Sequence, residues 1–368
     1  MHFVERVWSD EGIFGLAARV ALSPVEGAYR GAVAVRTALY ERGILHRARS
    51  VIPVLSVGNL TVGGTGKTPV SGWFARRLYE KGRAPAIVLR GYGGDEPLVH
   101  ARTNPAIPVV IASSRVAGIS EAIALGADVV VLDDGFQHMH ASRDADIVLV
   151  SADQWTGSRR MLPAGPWREP LSAIRRASVA IVTRKAASDE RVAQVREAVS
   201  AAAPAVPQAV VRLTPHDLRR AAGMTEAKRD GVYADMRRDV VYAMAHRKDE
   251  TLPIASLAGK RVLAIAAIGD PAAFFAQIES HGPDVSRRPF ADHHAFSTAE
   301  VDELIAAARA FDLIVCTLKD AVKLAPMWPD EAAPLWYVSL SVVVESGIAA
   351  LDQILARIVE ASNKTART

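Results

Sequence analysis

The chain has 368 residues, half of them hydrophobic and 23% charged, which excludes a disordered or fibrous protein and leaves length for two domains. Lys and Arg number 44 against 40 Asp and Glu, so the net charge is +4; that small excess fits anionic ligands or an anionic membrane surface and does not by itself argue for nucleic acid. The lone cysteine, Cys316, excludes an intramolecular disulfide framework and a cysteine-based zinc site, and points to a reducing compartment.

No stretch approaches the roughly 18 apolar residues of a membrane-spanning helix. Residues 12–25 carry one charge, Arg19, among Ile13, Phe14, Leu16, Val20 and Leu22, and Arg30, Arg36, Arg42, Arg47 and Arg49 follow. An apolar amphipathic segment with trailing arginines suits a helix lying in a membrane interface. The competing reading is a helix whose apolar stripe packs on its own domain. From residue 51 short apolar runs alternate with helical stretches. Strands are predicted at 52–57, 86–89, 109–111, 128–132, 146–150 and 179–183, and helices at 69–81, 115–125 and 189–202. This rhythm predicts an α/β fold with a parallel sheet. A connection falls near 200–215, and the charge-dense stretch 216–253 reads as an exposed insertion. Strands at 261–267, 313–316 and 336–344 and a helix at 299–310 form a second, smaller α/β lobe; the tail from 361 is polar and expected to fray. The expected division is 1–50, 51–205 and 206–360.

The strongest motif is Thr61-Val62-Gly63-Gly64-Thr65-Gly66-Lys67-Thr68, directly after a strand. In a P-loop the backbone N–H groups wrap phosphates, the Lys reaches the terminal phosphates and the Thr hydroxyl ligates Mg²⁺. The strict pattern has glycine where this chain has Thr61. The apolar strand at 128–132 runs into Asp133-Asp134-Gly135-Phe136-Gln137-His138, the way P-loop proteins bring a carboxylate to Mg²⁺. Two adjacent carboxylates call for a cation between them. Arg90-Gly91-Tyr92-Gly93-Gly94 lies at a strand's C-terminal edge, where open α/β sheets bind ligands. Asp95-Glu96-Pro97 offers a carboxylate base or a solvated turn. The rigid loop from Leu162 carries Arg168 and Glu169. Asp292-His293-His294 is a metal-site fragment or an acid–base pair, and Lys319-Asp320 a nucleotide contact or a helix start.

In order and spacing, Val57–Pro69, Arg90–Gly94, Asp95–Pro97, Asp133–His138, Leu162–Pro166, Arg168–Pro170, Ile268–Pro271, Phe290–His293 and Lys319–Lys323 resemble the tetraacyldisaccharide 4'-kinase family, the lipid A 4'-kinases of Gram-negative bacteria. Departures are Leu318 where the family usually has Glu, Trp167 where Leu or Met is common, and the length of the 216–253 insertion. The resemblance implies a P-loop lobe, a smaller α/β lobe across a cleft and an N-terminal helix near the membrane. It implies transfer of the γ-phosphoryl of ATP to the 4'-hydroxyl of a tetraacylated glucosamine disaccharide 1-phosphate at the cytoplasmic face of the inner membrane. ATP and Mg²⁺ are then the cofactors, and nucleic acid is not a partner. Residues 61–68 would hold nucleotide, with Lys67 on the β/γ-phosphates. Thr68 with Asp133 or Asp134 would hold Mg²⁺, with Glu169 in the metal's outer shell. Asp95 would be the base and His293 its partner from the other lobe. Arg90, Tyr92, Arg115, Gln137, His138 and Arg168 would meet phosphate or lipid headgroup.

Two other readings compete. A P-loop GTPase or metallochaperone-type switch needs a guanine-reading N-K-x-D, and Thr317-Leu318-Lys319-Asp320 matches it only in part. An ATP-dependent ligase on a soluble acid sits poorly with the apolar N-terminal segment.

Overall fold

The computed structural model describes residues 8, 12–90, 94–156, 158–221, 240–241 and 250–365. Tyr92 and most of the 216–253 segment lie outside the described residues. Helix α1 (Ile13–Glu41) leads to β1 (Val54–Asn59), α2 (Lys67–Glu80), β2 (Pro85–Leu89), α3 (Glu96–Thr103), β3 (Val109–Ile111), α4 (Arg115–Ala124), β4 (Val129–Asp133), β5 (Ala145–Ser151), β6 (Val179–Arg184), α5 (Asp189–Ala202) and β7 (Gln208–Arg220). There follow β8 (Val240–Val241), β9 (Thr251–Pro253), β10 (Arg261–Ala266), α6 (Pro271–Glu279), β11 (Asp284–Pro289), α7 (Thr298–Ala308), β12 (Leu313–Thr317), α8 (Leu318–Leu324), β13 (Leu335–Ser346) and α9 (Ile348–Thr365).

The predicted α/β architecture is present, as one continuous sheet in the order β11-β10-β12-β13-β7-β6-β5-β1-β4-β2-β3-β8, with β9 on β7. Its ladders are parallel except β7–β13, β7–β9 and β3–β8. Every residue of β1, β2, β4 and β6 is buried, as expected of parallel strands covered on both faces. β1 lies between β4 and β5, both parallel to it, so the sheet order diverges there. Ligands of open α/β sheets bind at the C-terminal ends of strands flanking such a point. Asn59 and Asp133 end those strands.

The two halves meet through the long antiparallel pair β7–β13. The expected segment 206–360 is not self-contained. Leu351, Leu355 and Ile358 of α9 are buried in one apolar cluster with Leu55, Phe74 and Ile181 of the first half. The start of the expected insertion, 216–220, is instead the end of β7, and the tail expected to fray from 361 is helical to Thr365.

α1 lies against the first half through few residues. Its Glu26 is buried and accepts from Arg160 Nε and from the Met161 N–H, both at 2.8 Å. Ile13, Phe14, Leu16 and Val20 are exposed, so among the described residues these four side chains at its N-terminal end have no apolar cover, whereas Leu22 is half-buried. Among the described residues no helix is long and apolar enough to cross a membrane.

Candidate active site

The phosphate cradle forms where β1 ends and α2 begins. Gly63 and Gly66 have φ of 116° and 87°, values that only glycine adopts without strain. Thr61 has no such φ. It makes a bridge with Trp167, and the Val62 N–H donates to the Pro166 carbonyl at 2.8 Å, so the loop from Leu162 backs the cradle and glycine is not needed at 61. Asn59 Nδ2 donates to Thr65 Oγ1 at 2.9 Å, and Lys67 Nζ donates to Asn59 Oδ1 at 3.3 Å. The Thr183 hydroxyl donates to the Thr65 carbonyl at 2.9 Å. Gly64 faces the second half: Lys185 Nζ lies 3.3 Å from its carbonyl oxygen and 3.2 Å from Asp270 Oδ2. Thr68 is buried in the first turn of α2. Burial pulls the Lys67 pKa down, opposed by the charge of Asp134.

At the end of β4 the two aspartates part company. Asp134, left-handed at φ 53°, sets its carboxylate 2.9 Å from Arg168 Nη1 and 3.8 Å from Lys67 Nζ. Burial alone would raise its pKa; the two cations outweigh burial and hold it below the ordinary carboxylate value. Asp133 is buried. Its Oδ2 is 2.8 Å from His100 Nε2, and its Oδ1 is buried with no hydrogen-bond partner among the described residues. An orphan carboxylate oxygen beside a Thr hydroxyl-bearing P-loop fits a hard cation with oxygen ligands. Gln137 Nε2 donates to the Asn59 carbonyl at 2.8 Å. Burial, helped by Arg115, depresses the His138 pKa to about 4, so this imidazole is neutral near pH 7. Glu169 turns its carboxylate to Arg176 at 2.7 Å, an ion pair that braces the loop. The metal role expected of Glu169 therefore stands less directly than that of Asp133.

Arg115 opens α4 and donates to the Asp133 carbonyl at 3.1 Å. Its Nε and Nη1 are buried without hydrogen-bond partners among the described residues, two donors suited to an anion. Arg90 is exposed at the end of β2.

Asp95 is buried and caps α3, accepting from the Glu96 N–H at 3.0 Å. The solvated-turn alternative is thereby excluded. His293 comes from the second half, left-handed at φ 55°, with Nδ1 3.4 Å from Asp95 Oδ2. At that length the contact is an ion pair rather than a well-formed hydrogen bond, and among the described residues Oδ2 has no hydrogen-bond partner. Asp95 would be raised by burial, but His293 and Lys319 hold its pKa below the usual carboxylate range; the same contact with Asp95 raises His293. Among the described residues Asp134 and His293 are the non-glycine residues with left-handed backbone, and both stand in this site. Lys319, at the start of α8, pairs with Glu96 at 3.1 Å. His294 pairs instead with Glu300 at 3.0 Å, so the two histidines of the run turn to different partners.

A family model described as tetraacyldisaccharide-1-P 4'-kinase matches residues 18–360. This chain belongs to the tetraacyldisaccharide 4'-kinase family. Among its relatives, the tetraacyldisaccharide 4'-kinase of Halorhodospira halophila is 37% identical over 95% of this chain and 96% of that protein. The enzyme of that name from Anaeromyxobacter sp. strain Fw109-5 is 36% identical over 89% of this chain and 88% of its own length. A crystal structure of LpxK from Aquifex aeolicus in complex with ATP superposes with a TM-score of 0.67 at 25% identity, covering 93% of this chain and 99% of that one. The switch reading gives way to membership of this 4'-kinase family.

Sequence reasoning singled out Lys67, Asp133, Asp134, Asp95 and His293, which the structure brings together, and did not single out His100 or the pairing of Asn59. Asn59 was legible as a polar residue ending an apolar strand before a P-loop. His100 carried no local signal.

Proposed function

We propose that this chain transfers the γ-phosphoryl of ATP to the 4'-hydroxyl of a tetraacylated glucosamine disaccharide 1-phosphate, with the residue roles that follow. The observation that carries the reading is the buried Asp95, capped onto α3 and paired with His293 from the opposite half, beside a P-loop whose Lys67 is held by Asn59 and Asp134. Phosphoryl transfer asks a protein chiefly for positioning and charge. Asp95 takes the proton of the 4'-hydroxyl as its oxygen bonds to the γ-phosphorus, and the bond to the β,γ-bridging oxygen breaks to release ADP. His293 keeps Asp95 ionised and aimed. The backbone N–H groups of 63–68 and Lys67 hold the β- and γ-phosphates, and Arg115 offers its two unpartnered donors to phosphate oxygens. Thr68 and Asp133 would hold Mg²⁺, which when bound neutralises phosphate charge. We assign Arg90, Tyr92, Gln137, His138 and Arg168 to the lipid's headgroup.

The acceptor carries four acyl chains, and we place the enzyme on the cytoplasmic face of the inner membrane, peripheral, with the exposed Ile13, Phe14, Leu16 and Val20 in the interface. No nucleic acid is among its partners. The test is product analysis with terminally labelled ATP, Mg²⁺ and the acylated disaccharide 1-phosphate in mixed micelles. Label is expected on the 4'-oxygen, in competition with ATP; no transfer to any acylated disaccharide, or displacement of bound analogue by GTP and not by ATP, overturns the reading.

A further inference from the structure

His100 is a buried titratable group for which the mechanism above has no use. It is 1% exposed, and its Nε2 lies 2.8 Å from Asp133 Oδ2. A carboxylate oxygen only accepts, so the Nε2–H donates. The ring joins three elements. It rides on α3, whose N-terminus is capped by Asp95. It bonds the last residue of β4. Its other face meets α2, the helix that opens with Lys67 and Thr68: a Cβ at Gly72 would come within 3.7 Å of His100 Nδ1 and 2.8 Å of Asn104 Nδ2, so α2 packs close against this ring.

We propose that His100 is a positioning residue for the metal carboxylate: it ties up Asp133 Oδ2 and fixes the rotamer that leaves Oδ1 for a divalent cation. The proposal rests on the reading of Asp133 as a metal ligand. Ligating carboxylates are set by hydrogen bonds of this kind, and losing such a partner typically costs about 10- to 100-fold in metal affinity. The bond also fixes the distance from the base-bearing helix α3 to the metal strand β4.

The experiment titrates Mn²⁺, read by electron paramagnetic resonance, into the full-length protein saturated with a non-hydrolysable ATP analogue. His100→Leu is expected to weaken Mn²⁺ binding about 10- to 100-fold, with analogue affinity in the absence of metal unchanged. His100→Gln, whose amide N–H reaches as far as Nε2, is expected to restore it to within about threefold. Should His100→Leu fail to fold, His100→Met makes the same comparison. Wild-type Mn²⁺ affinity in the apolar variant, while Asp133→Asn loses it, overturns the positioning role alone. Equal loss in the Gln and apolar variants shows a packing role and overturns it too. Unchanged Mn²⁺ binding in Asp133→Asn removes Asp133 from the metal site, and the proposal with it.

Discussion

Asp95 stays ionised in a place where burial opposes ionisation, and it does so through cations supplied from another part of the chain, His293 and Lys319. A carboxylate kept charged and aimed by a partner is a competent acceptor for a hydroxyl proton. Asp95→Ala is expected to lower kcat by about 10²- to 10⁴-fold with little change in the Kd for ATP, measured by single-turnover transfer and equilibrium binding. His138 gives the pH signature. Its pKa is about 4 in the folded protein against 6.5 when exposed. Between those values the unfolded chain takes up a proton that the folded chain refuses, so stability is lost as pH falls from 6.5 to 4, by at most about 1.4 kcal/mol per pH unit. Denaturant melts across that window should show His138→Gln with a shallower loss than wild type. Residue types and spacing made Lys67, Asp133 and Asp95 legible; the His100–Asp133 bond was not, because the partners are 33 positions apart in sequence and nothing local distinguishes this histidine.

At the scale of the element, α1 is tied to the site by polar contacts while its N-terminal apolar residues face outward. Tyr29 Oη donates to the Arg168 carbonyl at 3.0 Å, and Arg36 Nη2 donates to the Gln137 carbonyl at 2.6 Å. Both bonds hold the backbone of residues we assign to the headgroup. Replacing Ile13, Phe14, Leu16 and Val20 by Ser is expected to abolish sedimentation with anionic vesicles while leaving the melting temperature within about 2 °C, since those side chains are exposed. Retained vesicle binding would remove the interface role. The composition of α1 showed an amphipathic helix; whether its stripe packed inward or faced out depended on what the rest of the fold left uncovered. The ends of the predicted strands, by contrast, lie within a residue or two of the observed ones, because buried parallel strands are apolar runs bounded by polar turns; β7 and β11, whose sequences mix charged residues into the run, were not predicted.

Across the whole molecule, α9 closes the chain back onto the P-loop half. Its apolar positions 348, 351, 354, 355 and 358 recur at helical spacing, a signal the sequence carried. Leu355 is fully buried in the cluster with Leu55 and Phe74. Leu355→Ala is expected to cost about 2–5 kcal/mol, read as one cooperative transition in denaturant, because α9 is part of the first half's core. A separate early transition with the main one unmoved would show that α9 docks as an appendage.

The sequence by itself determined the class of chemistry and the local parts: a P-loop, an aspartate-ended strand, a candidate base and a parallel α/β scaffold. These follow from short-range rules of glycine conformation, hydrophobic period and carboxylate placement. Only the tertiary structure decided which aspartate keeps an open oxygen, that Glu169 braces Arg176, that Asp95 meets His293 across the halves, and that the two expected lobes share one sheet and one C-terminal helix. Those outcomes depend on side chains brought together from distant positions, where burial and pairing, not residue type, set each group's charge and partners.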